Sequence, residues 1–357
     1  MRAVQYASFG APVEVVDVPE PVVPPHGALI EVAVAGMCRS DWHGWMGHDS
    51  DITLPQVPGH EWAGTVLAVG EQVERWSGGE RVTAPFVCGC GHCDLCASGQ
   101  QQICARQTQP GFTHAGAFAE RLVVHHADVN LVALPESLPL DGAAALGCRF
   151  ATAYRAVVQQ GRVEPGVWVA VHGCGGVGLS AVMIAAAAGA RVVALDISGE
   201  ALRLASELGA DVCVDTSAFA DDPVAVGASV KDATGGGARL SLDALGSLTT
   251  AAASVHSLVR QGRHVQVGLL PAELGVPPLP MDLVVAHELE IVGSHGMSAH
   301  TYPAMLAAVA SGRLQPQRLV TRHVSLAEAP AVFPEMSGAP VAGITVIDVG
   351  ERSDRTS

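Results

Sequence analysis

The chain has 357 residues, of which 49% are hydrophobic and 15% charged, and its formal net charge is −15. That length exceeds one ordinary core and predicts two domains, while the composition excludes an intrinsically disordered chain. The acidic balance argues against a nucleic-acid partner, and no apolar run reaches the ~18 residues of a membrane span.

No basic region followed by an apolar run opens the chain, so the expected location is the cytoplasm. Nine cysteines, an odd number, favour metal binding over disulfides in such a compartment. Residues 3–6, 13–18 and 29–35 read as short strands, separated by Gly10-Ala11-Pro12 and Pro24-Pro25-His26-Gly27. Residues 63–69 and 81–83 continue this β-rich, irregular half. Its loops hold Cys38-Arg39-Ser40-Asp41-Trp42-His43 and Gly59-His60-Glu61. Zinc accepts a thiolate, an imidazole and a carboxylate, and a catalytic zinc takes three protein ligands and keeps one position open. Alone, Cys38 and His60 read more often as packing residues than as ligands. Ser40 and His43 follow Cys38 closely and offer a hydroxyl-to-imidazole path for a proton.

Cys90, Cys93, Cys96 and Cys104 give the spacing C-x2-C-x2-C-x7-C. Four thiolates so close in sequence can enclose one zinc with no open position, which marks a structural metal. An iron–sulfur cluster is the rival occupant, but the bacterial ferredoxin run ends x3-C-P, and here Ala105 follows a longer gap. Cys88 falls outside the spacing, His92 reads as loop filler, and His125 and His126 receive no role. Zinc at such a site supplies roughly 10–16 kcal/mol to folding, enough to hold a lobe with almost no apolar core.

Residues 118–124 predict a strand and residues 139–146 a short helix; Leu146-Gly147-Cys148 then leads into a helix ending near Gln160. Beyond Pro165 the pattern changes. Residues 167–171 form a wholly apolar strand, followed by His172-Gly173-Cys174-Gly175-Gly176-Val177-Gly178 and an Ala-rich helix. Residues 191–195 form a second strand that ends at Asp196. A G-x-G-x-x-G that follows a strand, opens a helix and is answered by an acid is the dinucleotide fingerprint. Gly173 permits the turn, Gly175 the approach of a pyrophosphate to the helix N-terminus, and Gly178 close helix–strand packing. Asp196 suits ribose hydroxyls and repels a 2′-phosphate, so NAD is expected over NADP. Strands and helices then alternate to residue 266, which predicts an α/β doubly wound parallel sheet. Gly268 and Leu269 lie just past a strand's carboxyl end, and Ser294 past that of a further strand at 290–292, where such sheets bind ligands. The remaining residues predict helices at 302–311 and 327–336 and strands at 319–325 and 343–349.

A hydride carrier beside a three-ligand metal implies one reaction. The metal acts as a Lewis acid on an alcohol oxygen, the alkoxide passes hydride to the nicotinamide, and an aldehyde or ketone results. Metal binding takes the pKa of a water from about 15.7 to about 7, on the order of 10 kcal/mol of oxyanion stabilisation. The proton leaves through Ser40 and His43.

The chain resembles the zinc-dependent alcohol dehydrogenases of the medium-chain dehydrogenase/reductase superfamily over nearly its whole length. Cys38 to His43, Gly59-His60-Glu61, the four-Cys lobe, Leu146-Gly147-Cys148 and the glycine run at 173–178 carry the resemblance. It implies that Cys38, His60 and Cys148 hold a catalytic zinc, with Glu61 adjacent and able to replace the water, and with Asp41 orienting His60. It implies that Arg39 reaches the cofactor pyrophosphate and Thr152 the nicotinamide, and that Trp45 and Phe86 line the substrate pocket. It further implies a GroES-like catalytic domain, residues 1–148 plus 287–357, with the structural-zinc lobe at 88–104. A Rossmann NAD domain, residues 149–286, would interrupt it, leaving the active site in the interdomain cleft. Trp45 and the lack of a long inserted loop look like the yeast and bacterial enzymes, so a homo-oligomer is expected, a tetramer before a dimer. Two positions depart from the family pattern: residues 343–346 lack a basic residue for the cofactor, and Trp42 is bulkier than the usual aliphatic side chain. A polyol, amino-alcohol or threonine dehydrogenase of the same superfamily is the rival reading, distinguished by a polar pocket. A zinc-free reductase and a non-catalytic NAD-binding protein are further alternatives.

Overall fold

The computed structural model describes residues 1–219, 221–270, 275–338 and 342–350. It divides into two compact units, Met1–Ala151 with Gly296–Ser357, and Thr152–His295. No helix among the described residues is long and apolar enough to cross a membrane.

The first unit is built around the strand Ala28–Gly36, whose inward residues Ala28, Ile30, Val32 and Ala35 are buried. It pairs antiparallel with Glu61–Val69, Arg121–Val124 and Ile344–Asp348. Arg81–Thr83, Val132–Ala133 and Val320–Ser325 complete the sheet. Trp62, Tyr6, Phe118 and Phe333 fill the core beneath it. The register sets Gly36 opposite Glu61. Cys38 lies just beyond the end of one strand and His60 just before the start of the other, so sheet pairing brings them together. The expected helix at 327–336 is instead Ala329–Val332 followed by the 3-10 turn Phe333–Ser337. Pro334 cannot donate to the preceding turn, which breaks the α-helical ladder there.

The second unit is a parallel six-stranded sheet in the spatial order Val212–Asp215, Arg191–Asp196, Trp168–His172, Ala238–Asp243, Leu258–Gln266, Glu290–Gly293. In chain order that is 3-2-1-4-5-6, the doubly wound dinucleotide arrangement. Central strands are buried on both faces, as Val169, Ala170 and Val171 are, which explains their unbroken apolar run. Glu290–Gly293 pairs in parallel with Leu258–Gln266, so its main-chain hydrogen bonds tie it to this sheet. The second unit therefore runs to His295, past the boundary expected at residue 286.

Candidate metal centres and nucleotide fingerprint

The first centre forms where two sheet strands and a short helix meet. Cys38 caps the helix Arg39–Trp45, and the Asp41 side chain folds back to accept the Cys38 N–H at 3.0 Å. The same buried carboxylate accepts Gly59 N–H at 3.0 Å and His60 Nδ1 at 2.8 Å. Asp41 thus fixes the segments before and after the loop and turns Nε2 of His60 inward. That Nε2 is buried with no hydrogen-bond partner. Cys38 Sγ, Cys148 Sγ and a His60 ring nitrogen all lie within 4.8 Å of one another. Cys38 and His60 are buried, and Cys148 is half-buried. A buried, unpartnered imidazole nitrogen facing two sulfurs is costly in an apolar site and fits the donor set that zinc takes. Hydrogen bonding from the Cys148 thiol, aided by Arg149 and His60 against burial, holds the Cys38 thiol well below its ordinary value. The Cys148 thiol is raised, first by that same hydrogen bond and then by burial. Burial opposes charge on His60, and the Asp41 carboxylate overrides it, raising the imidazole well above its usual value.

Glu61 sits beside this centre but is already engaged. Its Oε1 accepts the Arg149 backbone N–H at 2.8 Å and Nε at 3.0 Å, while Oε2 accepts Nε at 2.9 Å and also Nη2. A Cβ on Gly36 would come within 2.6 Å of Glu61 Oε2, so glycine there makes room for the carboxylate. Burial raises the Glu61 carboxyl above its usual value, and Arg149 pulls it back. Sequence reading passed over Arg149, although a cation directly after a candidate ligand was a visible signal.

Two phenylalanines flank His60. Phe112 meets its ring edge-on at 5.4 Å and Phe86 at 6.1 Å. Phe112 was not anticipated, because its approach depends on the long-range packing of its loop. Trp45 is buried in the core of the first unit, donates Nε1–H to the Ala11 carbonyl at 2.7 Å and packs on Phe333. Trp42 is half-buried against the same core, with Arg39 stacked 3.9 Å over its ring and its Nε1–H donating to Ser337 Oγ at 2.8 Å. Arg39 itself is exposed and donates to the Met336 carbonyl. Ser40 Oγ stands 3.9 Å from Cys38 Sγ, and the hydrogen bond that His43 makes goes to His48 at 3.0 Å, not to Ser40. Burial pushes the His43 imidazole below its usual value, with Arg39 and His48 acting the same way.

Cys90, Cys93, Cys96 and Cys104 form a second group of sulfurs within 4.8 Å of one another. Cys90 and Cys96 Sγ are 4.0 Å apart, and Cys93 and Cys104 Sγ 3.7 Å apart. Four sulfurs placed tetrahedrally about a centre at 2.3 Å stand about 3.8 Å from each other, so the spacing fits zinc. Cys104 Sγ accepts backbone N–H from Cys90 and Arg106. The lobe's apolar cluster consists of these cysteines alone, so it lacks a core of its own. Cys88 is a buried core thiol, pushed up to about 12 by desolvation.

In the second unit Gly173 adopts φ +88, and a Cβ on Gly178 would stand 1.8 Å from the Gly173 carbonyl oxygen. A side chain at 178 is therefore excluded. A Cβ on Gly175 would meet nothing within 4 Å, so open space lies over the N-terminus of the helix Gly176–Ala187, which has no side-chain cap. Val177 follows Gly176 in that first turn. Exposed N–H groups and the helix dipole make this a phosphate cradle. Asp196 accepts N–H from Cys174 at 2.6 Å and from Ser198 at 2.8 Å, which fixes its carboxylate at the end of the second strand. Thr152 and Ser294 are buried, and each has a hydroxyl without a hydrogen-bond partner. Gly268 follows the strand Leu258–Gln266, and Leu269 beside it is 61% exposed.

Two family models match: the alcohol dehydrogenase GroES-like domain over residues 24–136 and the zinc-binding dehydrogenase over residues 176–311. An alcohol dehydrogenase of Geobacillus stearothermophilus is 35% identical over 297 residues, covering 82% of this chain and 84% of that protein. An NAD-dependent alcohol dehydrogenase of Sulfurisphaera tokodaii is 30% identical over 358 residues, covering 97% of this chain and 99% of that one. The solved alcohol dehydrogenase of Thermus sp. ATN1 superposes with a TM-score of 0.87 at 35% identity, covering 98% of this chain and all of that one, 100%. With both sulfur-bearing centres and the glycine turn in place, the chain belongs to the zinc-binding alcohol dehydrogenase family with a GroES-like domain.

Proposed function

We propose that the protein is a zinc-dependent alcohol dehydrogenase that oxidises a small alcohol to an aldehyde or ketone with NAD, and that it works in the cytoplasm. The carrying observation is the convergence of Cys38, His60 and Cys148, with His60 Nε2 unpartnered. When bound, zinc at that centre supplies Lewis acidity that lowers the pKa of an alcohol oxygen, and NAD supplies the hydride acceptor. Cys38, His60 and Cys148 are the proposed catalytic-zinc ligands, and the four-cysteine lobe holds the structural zinc. Asp41 orients His60 and keeps its basic nitrogen pointed at the centre. Arg149 holds Glu61 back from it. Phe86 and Phe112 exclude water and favour an apolar alcohol over a polyol. Ser40, His43 and His48 form the proton exit, with a water bridging from Ser40 to His43. Gly173 to Gly178 seat the pyrophosphate, Arg39 adds a positive charge for it, and Thr152 and Ser294 offer hydroxyls to the cofactor.

The test is NADH formation from a panel of primary, secondary, aromatic, terpenoid and polyol alcohols, with metal analysis alongside. Two zinc per chain and chelator-sensitive turnover are expected; one zinc with unaffected turnover would sink the reading. Replacing Asp196 by alanine removes the anion that faces the ribose hydroxyls and the group that repels a 2′-phosphate. We expect the NAD-over-NADP ratio of kcat/KM to fall by about 10- to 100-fold, since a lost charge-assisted bond is worth about 1.5–3 kcal/mol. An unchanged ratio would mean that Asp196 does not read the ribose.

A homo-oligomer, with the tetramer as our proposal, is supported by the edge strand Glu290–Gly293. Ile291 on it is 39% exposed, and Val285 and Met281 on the preceding helix are 76% and 56% exposed. An apolar sheet edge invites pairing with a second copy.

A further inference from the structure

The second unit carries a continuous, open-ended circuit of hydrogen bonds on one face of its sheet, running from Ser241 to Asp243. Ser241 and Asp243 stand on Ala238–Asp243, and His264 and Gln266 on Leu258–Gln266. The parallel register sets Ser241 beside His264 and Asp243 beside Gln266. The two-residue period therefore places all four side chains on one face. The helix Leu248–His256 covers that face and contributes Ser254. Ser241, Asp243, Ser254 and His264 are buried, and Gln266 is half-buried.

The chemistry of the groups dictates which way each bond runs. The Gln266 amide nitrogen donates to Asp243 Oδ2 and to the Gly268 carbonyl, both at 2.8 Å. Its oxygen must then accept, and it faces His264 Nε2 at 3.2 Å, so Nε2 carries the ring proton. His264 Nδ1 accepts from the Ser254 hydroxyl at 2.7 Å, and Ser254 accepts from Ser241 at 2.7 Å. Every donor points the same way, from Ser241 through His264 to Asp243. Burial pushes the His264 imidazole below its usual value, which keeps this neutral tautomer in place.

The circuit ends on two loops. Asp243 Oδ1 accepts N–H from Leu245 and Gly246, both at 3.0 Å, and its carbonyl accepts Gly268 N–H at 2.8 Å. The loops are pressed together there: a Cβ on Gly246 would lie 2.1 Å from the Leu269 carbonyl oxygen, and one on Gly268 2.1 Å from Gly246 N. Leu245 in turn abuts the fingerprint, 3.0 Å from where a Gly173 Cβ would stand. Leu245 and Leu269 nonetheless remain 60% and 61% exposed at the carboxyl ends of the strands, where a doubly wound sheet takes its ligand.

We propose that Asp243, His264 and Gln266 are positioning residues for the dinucleotide: they hold loops 244–246 and 267–270 against the glycine turn before the cofactor arrives. The proposal rests on the NAD reading. Preset loops bind without ordering cost, so the circuit acts on cofactor affinity rather than on the chemical step.

The test compares His264→Phe, which keeps the ring volume and removes both bonds, with His264→Gln, whose amide can accept from Ser254 and donate to Gln266. NADH titration of the full-length enzyme and separate kcat and KM values for NAD are the readouts. His264→Phe should raise the NADH Kd and the KM for NAD about 10-fold, with kcat at saturating NAD within about twofold of the parent. His264→Gln should restore both constants to within about threefold. Should His264→Phe not fold, Ser254→Ala breaks the same link by deleting one hydroxyl and should raise both constants about threefold. Parent enzyme that binds no NADH would overturn the NAD reading and this proposal with it. Parent enzyme that binds NADH, with folded variants of unchanged Kd and KM, would overturn the proposal alone.

Discussion

Cys148→Ala is expected to lower kcat/KM for alcohol oxidation by about 10⁴-fold or more and to reduce bound zinc from two per chain to one. The substitution removes a sulfur but little volume, so the fold should survive. What remains is Cys38 and His60, two donors where an open zinc site needs three. The sulfurs of Cys90, Cys93, Cys96 and Cys104 form a separate group, so the remaining zinc should sit there. A 10⁴-fold loss is about 5.4 kcal/mol at 1.36 kcal/mol per decade, within the several kcal/mol that a Lewis-acid metal contributes to charge stabilisation. The matching change Cys96→Ala should do the reverse. Its lobe has no apolar cluster beyond its own cysteines, so it should fail in stability first and in turnover only as a consequence. Atomic absorption together with steady-state rates separates the two. A Cys148→Ala enzyme that keeps two zinc, or the parental rate, would remove Cys148 from the ligand set.

The ease with which these centres could be read from sequence follows from how local they are. The four-cysteine lobe and the glycine turn are encoded in short runs whose spacing alone dictates geometry, and both form as expected. Cys38 and His60 lie far apart in the chain, and only the pairing of Gly36 with Glu61 brings them together. Donor chemistry made them candidates for a shared metal, and resemblance to a known family singled them out and added Cys148. Features that depend on which face of an element is buried were not readable. Trp45, placed at the substrate only by resemblance, is tied to Ala11 within the core, a contact that no local pattern shows. Phe112, Arg149 and the circuit through His264 were missed for the same reason. Phe112 and Arg149 acquire their roles from partners distant in sequence, His60 and Glu61, while the circuit through His264 depends on the strand register that sets Asp243 beside Gln266 and on the covering helix that brings Ser254 to His264. The boundary at residue 286 was implied by the resemblance, whereas the strand read at 290–292 pairs in parallel with Leu258–Gln266 and so belongs to the second unit.

Arg149→Met should destabilise the protein by about 3–5 kcal/mol, the cost of leaving a buried carboxylate without its partner. Glu61 is wholly buried, and both its oxygens are taken by Arg149, through the backbone N–H and through the guanidinium. Removing the side chain leaves one backbone hydrogen bond to hold a full negative charge. The loss should also reach the metal centre, because Arg149 helps to lower the Cys38 thiol. With zinc bound, two thiolates and the buried carboxylates of Glu61 and Asp41 exceed the metal's charge by two, and Arg149 is the cation that offsets one of those charges. Activity should therefore fall at least about 10-fold even at temperatures where the variant is folded. Glu61→Gln alone should likewise cost about 3–5 kcal/mol, because it strands the guanidinium. The double variant Arg149→Met with Glu61→Gln should recover at least about 2 kcal/mol relative to the sum of the single changes, since neither charge is then left unpaired. Urea unfolding of the parent, both single variants and the double variant closes the cycle. If the single costs simply add, Arg149 and Glu61 are not coupled, and Arg149 would then be a packing residue rather than the clamp on Glu61.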